Sequence, residues 1–400
     1  MDWLPANEVL QRRANVALIA AFLVLLWLPV ADAFLHLDRK PPPNENRVLA
    51  KWPEFTPSLQ GVQDCMAGFE KWHNDHFGFR SRLLRWEQSW KWRVLREARD
   101  RLAMIGSEGW MFLAGSKVIA DHRGEVPYSA AELEGWRKLL TTRRDWLAER
   151  GIRYLFVVAP TKHLIYPEYL PKWIGHRGTK PARLDQFIAH MKANSDVPLL
   201  DLRPALFEAK KAEKVYLKTD THWNNRGAYA GYRSIVGELE KLGLAVKPHD
   251  RADFESRVAD VPAGDLARLL GREQDDGDKG EVIFSPGPAI PAVTSRNDPS
   301  VSPKHWTPSF TELVVTETPS QTGRAVLFRD SFSNALIQFL SPHFGRVVYV
   351  WQMNWDKTII EREKPDVVID EMVDFFMLTS DPAKILRADD RPEVQMTGSL

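Results

Sequence analysis

The chain is nearly free of cysteine, with one residue, Cys65, in 400. A single cysteine excludes an intramolecular disulfide and any zinc site built on several cysteines. Excess charge is also missing, since 54 lysines and arginines stand against 53 aspartates and glutamates, a formal net charge of +1. No basic block with interleaved aromatic residues occurs, so the sequence argues against a nucleic-acid partner.

The sequence has no internal repeat, which argues against a solenoid or an array of small units. What it has instead is a hydrophobic fraction of 44%. In a chain of this length, that fraction is enough to bury a sizeable core in one large domain or two smaller ones.

One long apolar run stands near the start of the chain. The stretch "ANVALIAAFLVLLWLPVADAFL" (14–35) is almost uncharged and has about the 20-residue length of a membrane-spanning helix. Arg12 and Arg13 precede it, so the positive-inside rule leaves residues 1–13 in the cytoplasm. We therefore predict a signal anchor in the inner membrane of a Gram-negative bacterium, with the rest of the chain in the periplasm.

Two other interpretations of the apolar run remain open. A cleaved signal peptide would use Ala31 and Ala33 as its small-residue cleavage site, and a buried core helix is the alternative without a membrane. Residues 36–59, which include "DRKPPPNENR", are predicted to be a linker stiffened by proline and solvated by charge.

The rest of the chain alternates between helical and strand patterns. Ser129 and Glu132 form a capping box for a helix that Gly151 ends, and "IRYLFVVAP" (152–160) is a continuous apolar run typical of a buried strand. Further predicted elements are helices at 182–194, at 224–242 and from about Ser333, and strands at 197–202, 324–328, 346–351 and 365–370. Such alternation predicts a three-layer α/β domain with a mostly parallel sheet over 60–385. Residues 250–322 are predicted to be a long excursion and 386–400 a tail.

Two short motifs carry candidate chemistry. In "LKTDTHWNN" (217–225) Asp220 and His222 would share one face of an extended segment, so a carboxylate could fix the tautomer of an imidazole. In "LFRDSFSN" (327–334) a buried strand leads into a helix and places Ser331 at the carboxyl end of the sheet, where open α/β folds bind ligands. Either motif alone also fits chance or a helix cap, for which Ser333 is the better candidate. No spacing supports a metal site.

Seven stretches, in order from about residue 60 to 380, carry a family resemblance. They are "NDHFGFRSRLL" (74–84), "GSEGWMFL" (106–113), "APTKHLIYPEYLP" (159–171), "LKTDTHWNNRGAYAGY" (217–232), "AGDLARLLG" (263–271), "FRDSFSNAL" (328–336) and "KPDVVIDEMV" (364–373). On these stretches the chain resembles the alginate O-acetyltransferase family that includes AlgJ and AlgX. The resemblance implies an SGNH-hydrolase-like fold in which Asp and His precede the serine, so that Asp220, His222 and Ser331 would be the catalytic triad.

The resemblance also implies a reaction and its partners. We expect an extracytoplasmic O-acetyltransferase that moves acetyl through an acetyl-serine onto hydroxyls of an exopolysaccharide, alginate or similar, with a membrane-bound O-acyltransferase as acetyl supplier. Neither a cofactor nor a metal is needed for such a triad. Two alternatives remain: an acetyl-esterase with the same triad, and a catalytically inactive carbohydrate-binding component of an export complex.

Four residues near these motifs are predicted to bind substrate. Trp223 lies beside His222, and Lys162 and Tyr166 follow the strand at 152–160, which places them at the same sheet edge. Arg329 precedes the nucleophile motif and either binds an anionic sugar or pairs with Asp330.

Overall fold

The computed structural model describes residues 6–35, 50–79, 103–175, 180–272, 277–297 and 314–390. The chain divides into two compact units, Met1–Arg96 and Glu97–Leu400. Several predicted segments therefore lie partly outside the described residues: the cytoplasmic start, the linker, the excursion at 298–313 and the tail beyond residue 390.

The first unit contains two described helices, Ala6–Leu35 and Leu59–His76. The N-cap of the second helix is Ser58, whose side chain accepts the N–H of Gly61 at 2.9 Å. Within the described part of the chain, no helix is both long and apolar enough to cross a membrane. The anchor predicted for 14–35 is not confirmed.

The second unit holds all of the described strands. They are β1 (Ala103–Ile105), β2 (Met111–Leu113), β3 (Arg153–Ala159), β4 (Leu199–Asp201), β5 (Phe254–Val261), β6 (Asp278–Pro286), β7 (Thr294–Asn297), β8 (Val314–Glu317), β9 (Arg324–Phe328), β10 (Arg346–Val350) and β11 (Val367–Val373). Its described helices are Ser116–His122, Ala130–Ala148, Lys162–Ile165, Arg183–Asn194, Arg203–Ala212, Asn225–Lys241, Asp265–Leu269, Ile337–Leu340, Lys357–Glu363, Asp374–Thr379 and Pro382–Asp390.

Seven of these strands form one sheet in the order β4-β3-β11-β9-β10-β8-β7. The five strands from β4 to β10 run parallel, and β8 and β7 then add to the edge antiparallel. The remaining strands form two small antiparallel pairs, β1 with β2 and β5 with β6. The α/β fold with a mostly parallel sheet is confirmed.

Helices cover both faces of the large sheet. Side chains of β3 alternate between two apolar clusters, as the two-residue period of a strand requires: Leu155 and Val157 pack on one face, Tyr154 and Phe156 on the other. The first face is covered mainly by helix Asn225–Lys241, and the second by Ala130–Ala148 and Arg183–Asn194, among other helices. Burial on both faces explains why the central strands appear in the sequence as continuous apolar runs.

Strand and helix positions agree well with the sequence predictions. The capping box at Ser129 is present, and β9 covers the predicted 324–328. The excursion at 250–322 is more structured than expected, since it contains the β5–β6 hairpin and strands β7 and β8 of the main sheet. Its Pro- and Gly-rich composition concealed these strands, because edge strands and hairpins tolerate such residues.

Candidate active site

Ser331 lies directly beyond the buried strand β9, in a turn that we call the nucleophile turn (residues 329–335). This turn contains a 3₁₀ helix, Ser331–Ala335, whose N-cap is Asp330. The Asp330 carboxylate accepts the N–H of Phe332 at 2.9 Å and that of Val373 on β11 at 2.7 Å. The turn is thereby attached to the neighbouring strand as well as to its own.

The cap predicted at Ser333 is therefore wrong. Ser333 is fully buried, and its hydroxyl donates to Oε2 of Glu371 at 2.7 Å instead of capping a helix. Asp330 takes the cap position because its carboxylate accepts a backbone N–H two residues on, the bond that an N-cap side chain makes.

A continuous chain of hydrogen bonds joins Asp220, His222 and Ser331. Nδ1 of His222 lies 2.6 Å from Oδ1 of Asp220, and Nε2 lies 2.7 Å from Oγ of Ser331. The predicted residues thus meet across 109 positions of sequence. With the Nδ1 proton held by the carboxylate, Nε2 faces the serine hydroxyl as an acceptor, the arrangement that activates a serine nucleophile.

Asp220 and His222 lie on a segment that we call the Asp–His loop (residues 217–223). It is a series of bends and not the extended segment predicted. The two side chains meet because Oδ1 of Asp220 also accepts the backbone N–H of His222 at 3.0 Å. Aspartate commonly closes a turn in this way, by bonding to the backbone two residues on.

Two further carboxylates support the Asp–His loop. Asp278 of β6 accepts the backbone N–H of Lys218 at 2.5 Å and both the N–H and the hydroxyl of Thr219, at 3.0 and 2.6 Å. Asp265 accepts the N–H of Thr221 at 2.6 Å, and its own N–H donates to Asp220 at 3.1 Å. Both residues come from the predicted excursion. Sequence reasoning missed them, although Asp265 lies in the quoted stretch 263–271.

Gly264 allows this part of the chain to approach Asp220 closely. A Cβ atom at position 264 would lie 2.3 Å from the Cβ of Asp220 and 2.6 Å from its Oδ2. Real side chains do not tolerate such distances, so the position requires glycine for reasons of space.

The electrostatics of the pair favour a charged aspartate and a basic histidine. Burial raises the pKa of Asp220, but the hydrogen bonds and charge of His222 outweigh it and hold the pKa below its ordinary value. Burial lowers the pKa of His222, whereas the hydrogen bond and charge of Asp220 raise it, with a net pKa above 6.5. Each residue therefore stabilises the ionised form of the other.

The four predicted substrate-binding residues are all buried: Trp223 is 2% exposed, Lys162 3%, Tyr166 4% and Arg329 2%. Their described hydrogen bonds are made to the protein itself, so each has a supporting role. Substrate binding by these four residues stays a prediction.

Lys162 and Tyr166 support the backbone beside the Asp–His loop. Nζ of Lys162 donates to the carbonyls of Met111 at 2.8 Å and Lys218 at 3.1 Å. Burial lowers the pKa of Lys162 to about 7, with the charge of Asp220 acting against the shift. The hydroxyl of Tyr166 accepts the N–H of Val215 at 2.9 Å.

Trp223 and Arg329 both support the nucleophile turn. The indole N–H of Trp223 donates to the carbonyl of Phe332 at 3.1 Å. Arg329 donates to the carbonyl of Asp330 at 3.2 Å and to Oδ1 of Asn334 at 2.6 Å, and its guanidinium lies 4.5 Å from the ring centre of Trp351. Of the two predictions for Arg329, a pairing with its neighbour is the one the geometry matches, through the backbone carbonyl of Asp330.

Asp220, His222 and Asp265 have potential metal-ligand atoms within 4.8 Å of one another. These atoms are engaged with each other and with the backbone: Nδ1 of His222 with Asp220, and Oδ1 of Asp265 with the N–H of Thr221. We therefore interpret the cluster as a hydrogen-bonded support and assign it no metal.

Two solved structures share this fold at low sequence identity. Bacillus cereus PatB1, in a structure with a sulfonyl adduct, shares the fold with a TM-score of 0.52 at 16% identity, over 71% of this chain and 98% of that one. A DHHW family protein from Eubacterium siraeum shares it with a TM-score of 0.51 at 16% identity, over 70% and 93% of the two chains.

The sequence comparisons are more specific. Residues 103–281 match the family model of the SGNH hydrolase-like domain of the acetyltransferase AlgX. This match includes Asp220 and His222 and ends before Ser331. It confirms the resemblance to the alginate O-acetyltransferase family over these residues.

Two curated relatives support the same family. A "Probable alginate O-acetylase AlgJ" of Pseudomonas aeruginosa is 27% identical over 186 residues, 45% of this chain and 40% of that protein. A protein of the same description from Pseudomonas putida is 32% identical over 232 residues, 51% and 56% of the two chains. The chain thus spans about half the length of the curated relatives it matches.

Proposed function

We propose that this protein is an O-acetyltransferase that carries acetyl on Ser331 and passes it to a hydroxyl of a polysaccharide. The observation that carries the proposal is the contact of Nε2 of His222 with Oγ of Ser331 at 2.7 Å, with Asp220 on the other ring nitrogen. A serine, a base and an orienting carboxylate are the parts that nucleophilic acyl transfer needs.

The first half-reaction loads the enzyme. Nε2 of His222 takes the hydroxyl proton of Ser331 as Oγ attacks the acetyl carbonyl carbon of the donor. The carbon–oxygen bond to the donor then breaks, and the leaving oxygen takes the proton from His222, which leaves acetyl-Ser331. Asp220 stabilises the imidazolium that exists between these two proton transfers.

One backbone donor at the nucleophile turn is available for the oxyanion. The N–H of Phe332 is occupied by Asp330, whereas that of Ser331 donates to none of the described residues. Because Ser331 is the first residue of its 3₁₀ helix, its N–H has no acceptor within that helix either. It is therefore our candidate donor to the charge that develops on the acetyl oxygen.

The second half-reaction determines the class of enzyme. A sugar hydroxyl gives its proton to Nε2 of His222 and attacks the acetyl carbon, after which Oγ of Ser331 leaves and recovers the proton. Water attacking in place of the sugar would make the protein an esterase with the same residues. The family match to an acetyltransferase domain supports transfer.

The acceptor, the location and the partner are part of the same proposal. The curated relatives are described as alginate O-acetylases, which supports alginate or a similar exopolysaccharide as acceptor. We further propose a periplasmic location, an inner-membrane anchor at 14–35 and a membrane-bound O-acyltransferase as acetyl supplier. The apolar run and the family resemblance support these three points.

The test follows acetyl from a donor to a sugar. The full chain in detergent is incubated with p-nitrophenyl acetate as donor together with one acceptor, either oligomannuronate or a neutral β-glucan, and the products of each reaction are followed by mass spectrometry. We expect one added acetyl group on the anionic oligosaccharide and none with Ser331→Ala.

Ser195→Ala is the matched control, because the Ser195 hydroxyl donates to the carbonyl of Met191 at a helix end, ahead of β4. It should transfer acetyl like the wild type. Free acetate with every acceptor would establish the esterase instead, and unchanged transfer by Ser331→Ala would refute the nucleophile.

A further inference from the structure

Two neighbouring carboxyl groups at the nucleophile turn take no part in the proposed reaction. One belongs to Asp330 in the turn, and the other to Glu371 on β11; both are buried. Oε2 of Glu371 accepts the hydroxyl of Ser333 at 2.7 Å and the backbone N–H of Asp330 at 3.3 Å. Glu371 therefore holds the chain on both sides of Ser331, one residue before it and two residues after it.

The two carboxyl groups have unequal surroundings. Both oxygens of Asp330 accept backbone N–H groups, from Phe332 and Val373. Glu371 uses one oxygen, and its Oε1 is buried without a hydrogen-bond partner among the described residues. Backbone donors favour the ionised form of a carboxyl group, whereas a buried oxygen without a donor disfavours it.

The charge balance leads to the same assignment. Two neighbouring buried carboxylates are costly to ionise together. The guanidinium of Arg329 acts on both, and the charge of His222 also acts on Asp330. Burial, together with the charge of Asp330, raises the pKa of Glu371 well above its ordinary value, while Arg329 acts in the opposite direction. Burial also raises the pKa of Asp330, but its two backbone donors oppose the shift. Arg329 and Asp330 therefore carry the charges, and Glu371 carries the proton.

We propose that Glu371 is a positioning residue that holds Ser331 in place for attack, as a neutral carboxylic acid beneath the nucleophile turn. It acts through Ser333 and the backbone of Asp330 and does not touch the reacting atoms. This inference rests on the proposed function, because positioning is measured through the reaction of Ser331. A neutral group suits this place, since the charges of Asp220, Asp265 and Asp330 already act on His222.

The test separates position from charge. Glu371→Gln keeps a neutral group of the same shape with an oxygen that can accept the Ser333 hydroxyl, whereas Glu371→Ala and Ser333→Ala remove the bond. Wild type and variants are compared for kcat and KM with p-nitrophenyl acetate and for thermal midpoint. We expect Glu371→Gln to stay within about threefold of wild type, and kcat to fall roughly 10- to 100-fold in the two alanine variants with KM nearly unchanged.

Asp370→Asn is the matched control. Asp370 is the neighbouring buried acid on β11, but it binds Arg143 and the hydroxyl of Tyr154, away from the turn. It should lower the thermal midpoint and leave kcat close to wild type. A kcat loss in Glu371→Gln as large as in Ser333→Ala would overturn the neutral acid, and a wild-type kcat in Ser333→Ala would overturn the positioning role.

Two outcomes keep the inference apart from the proposed function. If Ser331→Ala is inactive while the Glu371 and Ser333 variants all turn over normally, the function stands and the positioning role is refuted. If Ser331→Ala itself is active, the proposed function is refuted, whatever the Glu371 and Ser333 variants show. Should Glu371→Ala not fold, Ser333→Ala and Glu371→Gln still decide the question, because each changes only a few atoms.

Discussion

The nucleophile turn and the Asp–His loop are built in different ways. The turn continues a buried strand: the N–H of Arg329 extends the ladder to Val350 at 2.9 Å, and Asp330 is bonded to β11. Among the described residues, no backbone hydrogen bond joins the Asp–His loop to a strand of the large sheet. Most of its bonded N–H groups donate to side chains, chiefly those of Asp265 and Asp278.

This difference shows that the predicted excursion is part of the site. One half of the hydrogen-bonded chain takes its position from the central sheet, whose placement the whole core determines. The other half takes its position from Asp265 and Asp278, which lie outside the large sheet. We therefore expect the Asp–His loop to be the more easily displaced half, and substitutions in the excursion to reach the reaction through it.

Removing the charge of Asp220 should have a larger effect on activity than any substitution of the residues that support the Asp–His loop. Asp220→Asn should lower kcat by about 10⁴-fold, the usual cost of a triad carboxylate, while Ser331 remains in place to be acylated. It should also shift the pH profile. His222 must be neutral to act as base, so wild-type activity should rise with pH through a midpoint above 6.5, because Asp220 raises the pKa of His222.

In Asp220→Asn that midpoint should fall, since burial of His222 remains and its counter-charge is gone. The measurement is kcat/KM for a chromogenic acetyl ester between about pH 5 and 9, a range in which the ordinary histidine pKa lies near the middle. An unchanged midpoint would mean that another group sets the protonation of His222.

Displacing Asp220 without changing its charge sharpens the comparison. Gly264→Ala places a methyl group 2.3 Å from the Cβ of Asp220, and a shift of about 1 Å at a catalytic group can cost about 10²-fold in rate. Gly237→Ala is the control, because a Cβ there meets nothing within 4 Å and alanine favours its helix. Equal activities of the two variants would show that the excursion does not constrain the loop.

The smallest expected effect is at Asp278. Asp278→Asn removes one acceptor oxygen from the Asp–His loop, which should destabilise the protein by about 1–3 kcal/mol and lower kcat/KM about tenfold. Asp260→Asn is the control in the same hairpin, where Oδ1 accepts the N–H of Gly280 in an exposed position. If kcat/KM falls equally in both variants, Asp278 affects only the hairpin.

The contribution of Asp278 to stability should also depend on pH in the acid range. Burial raises its pKa, but its bonds to Thr219 and Lys218 outweigh burial and hold the pKa below 3.8. Its stabilising contribution is therefore complete above pH 3.8 and is lost as the pH falls through the lower folded-state pKa. Unfolding followed between neutral and acid pH should show this loss in the wild type and not in Asp278→Asn.

Much of the site was predictable because its residues stand in local patterns. A buried strand ending before "DSFS" places a serine at the sheet edge, and an Asp two residues before a His can fix a tautomer through a local turn. The supporting residues have no such pattern. Glu371 follows the strand predicted at 365–370, although it belongs to the observed β11. Asp278 lies in a loop-like composition, so the roles of both residues depend on what folds against them.

The predicted substrate residues show the limit of the same reasoning. Position along a strand indicates the edge of the sheet at which Lys162 or Arg329 lies, but not how deeply its side chain is buried. Both proved to be interior donors to backbone carbonyls. For Lys162 the carbonyls belong to Met111 and Lys218, which are distant in the sequence.

By itself the sequence determined the α/β alternation, the core strands and the identity of the serine, histidine and aspartate, since periodicity and local turn chemistry act over a few residues. The tertiary structure alone decided that Ser331 meets His222 across 109 positions, that residues of the excursion support the Asp–His loop, and that a second acid lies beneath the nucleophile. These contacts form only when the strands have assembled into the sheet. Burial and the pairing of charges depend on neighbours that are distant in the sequence.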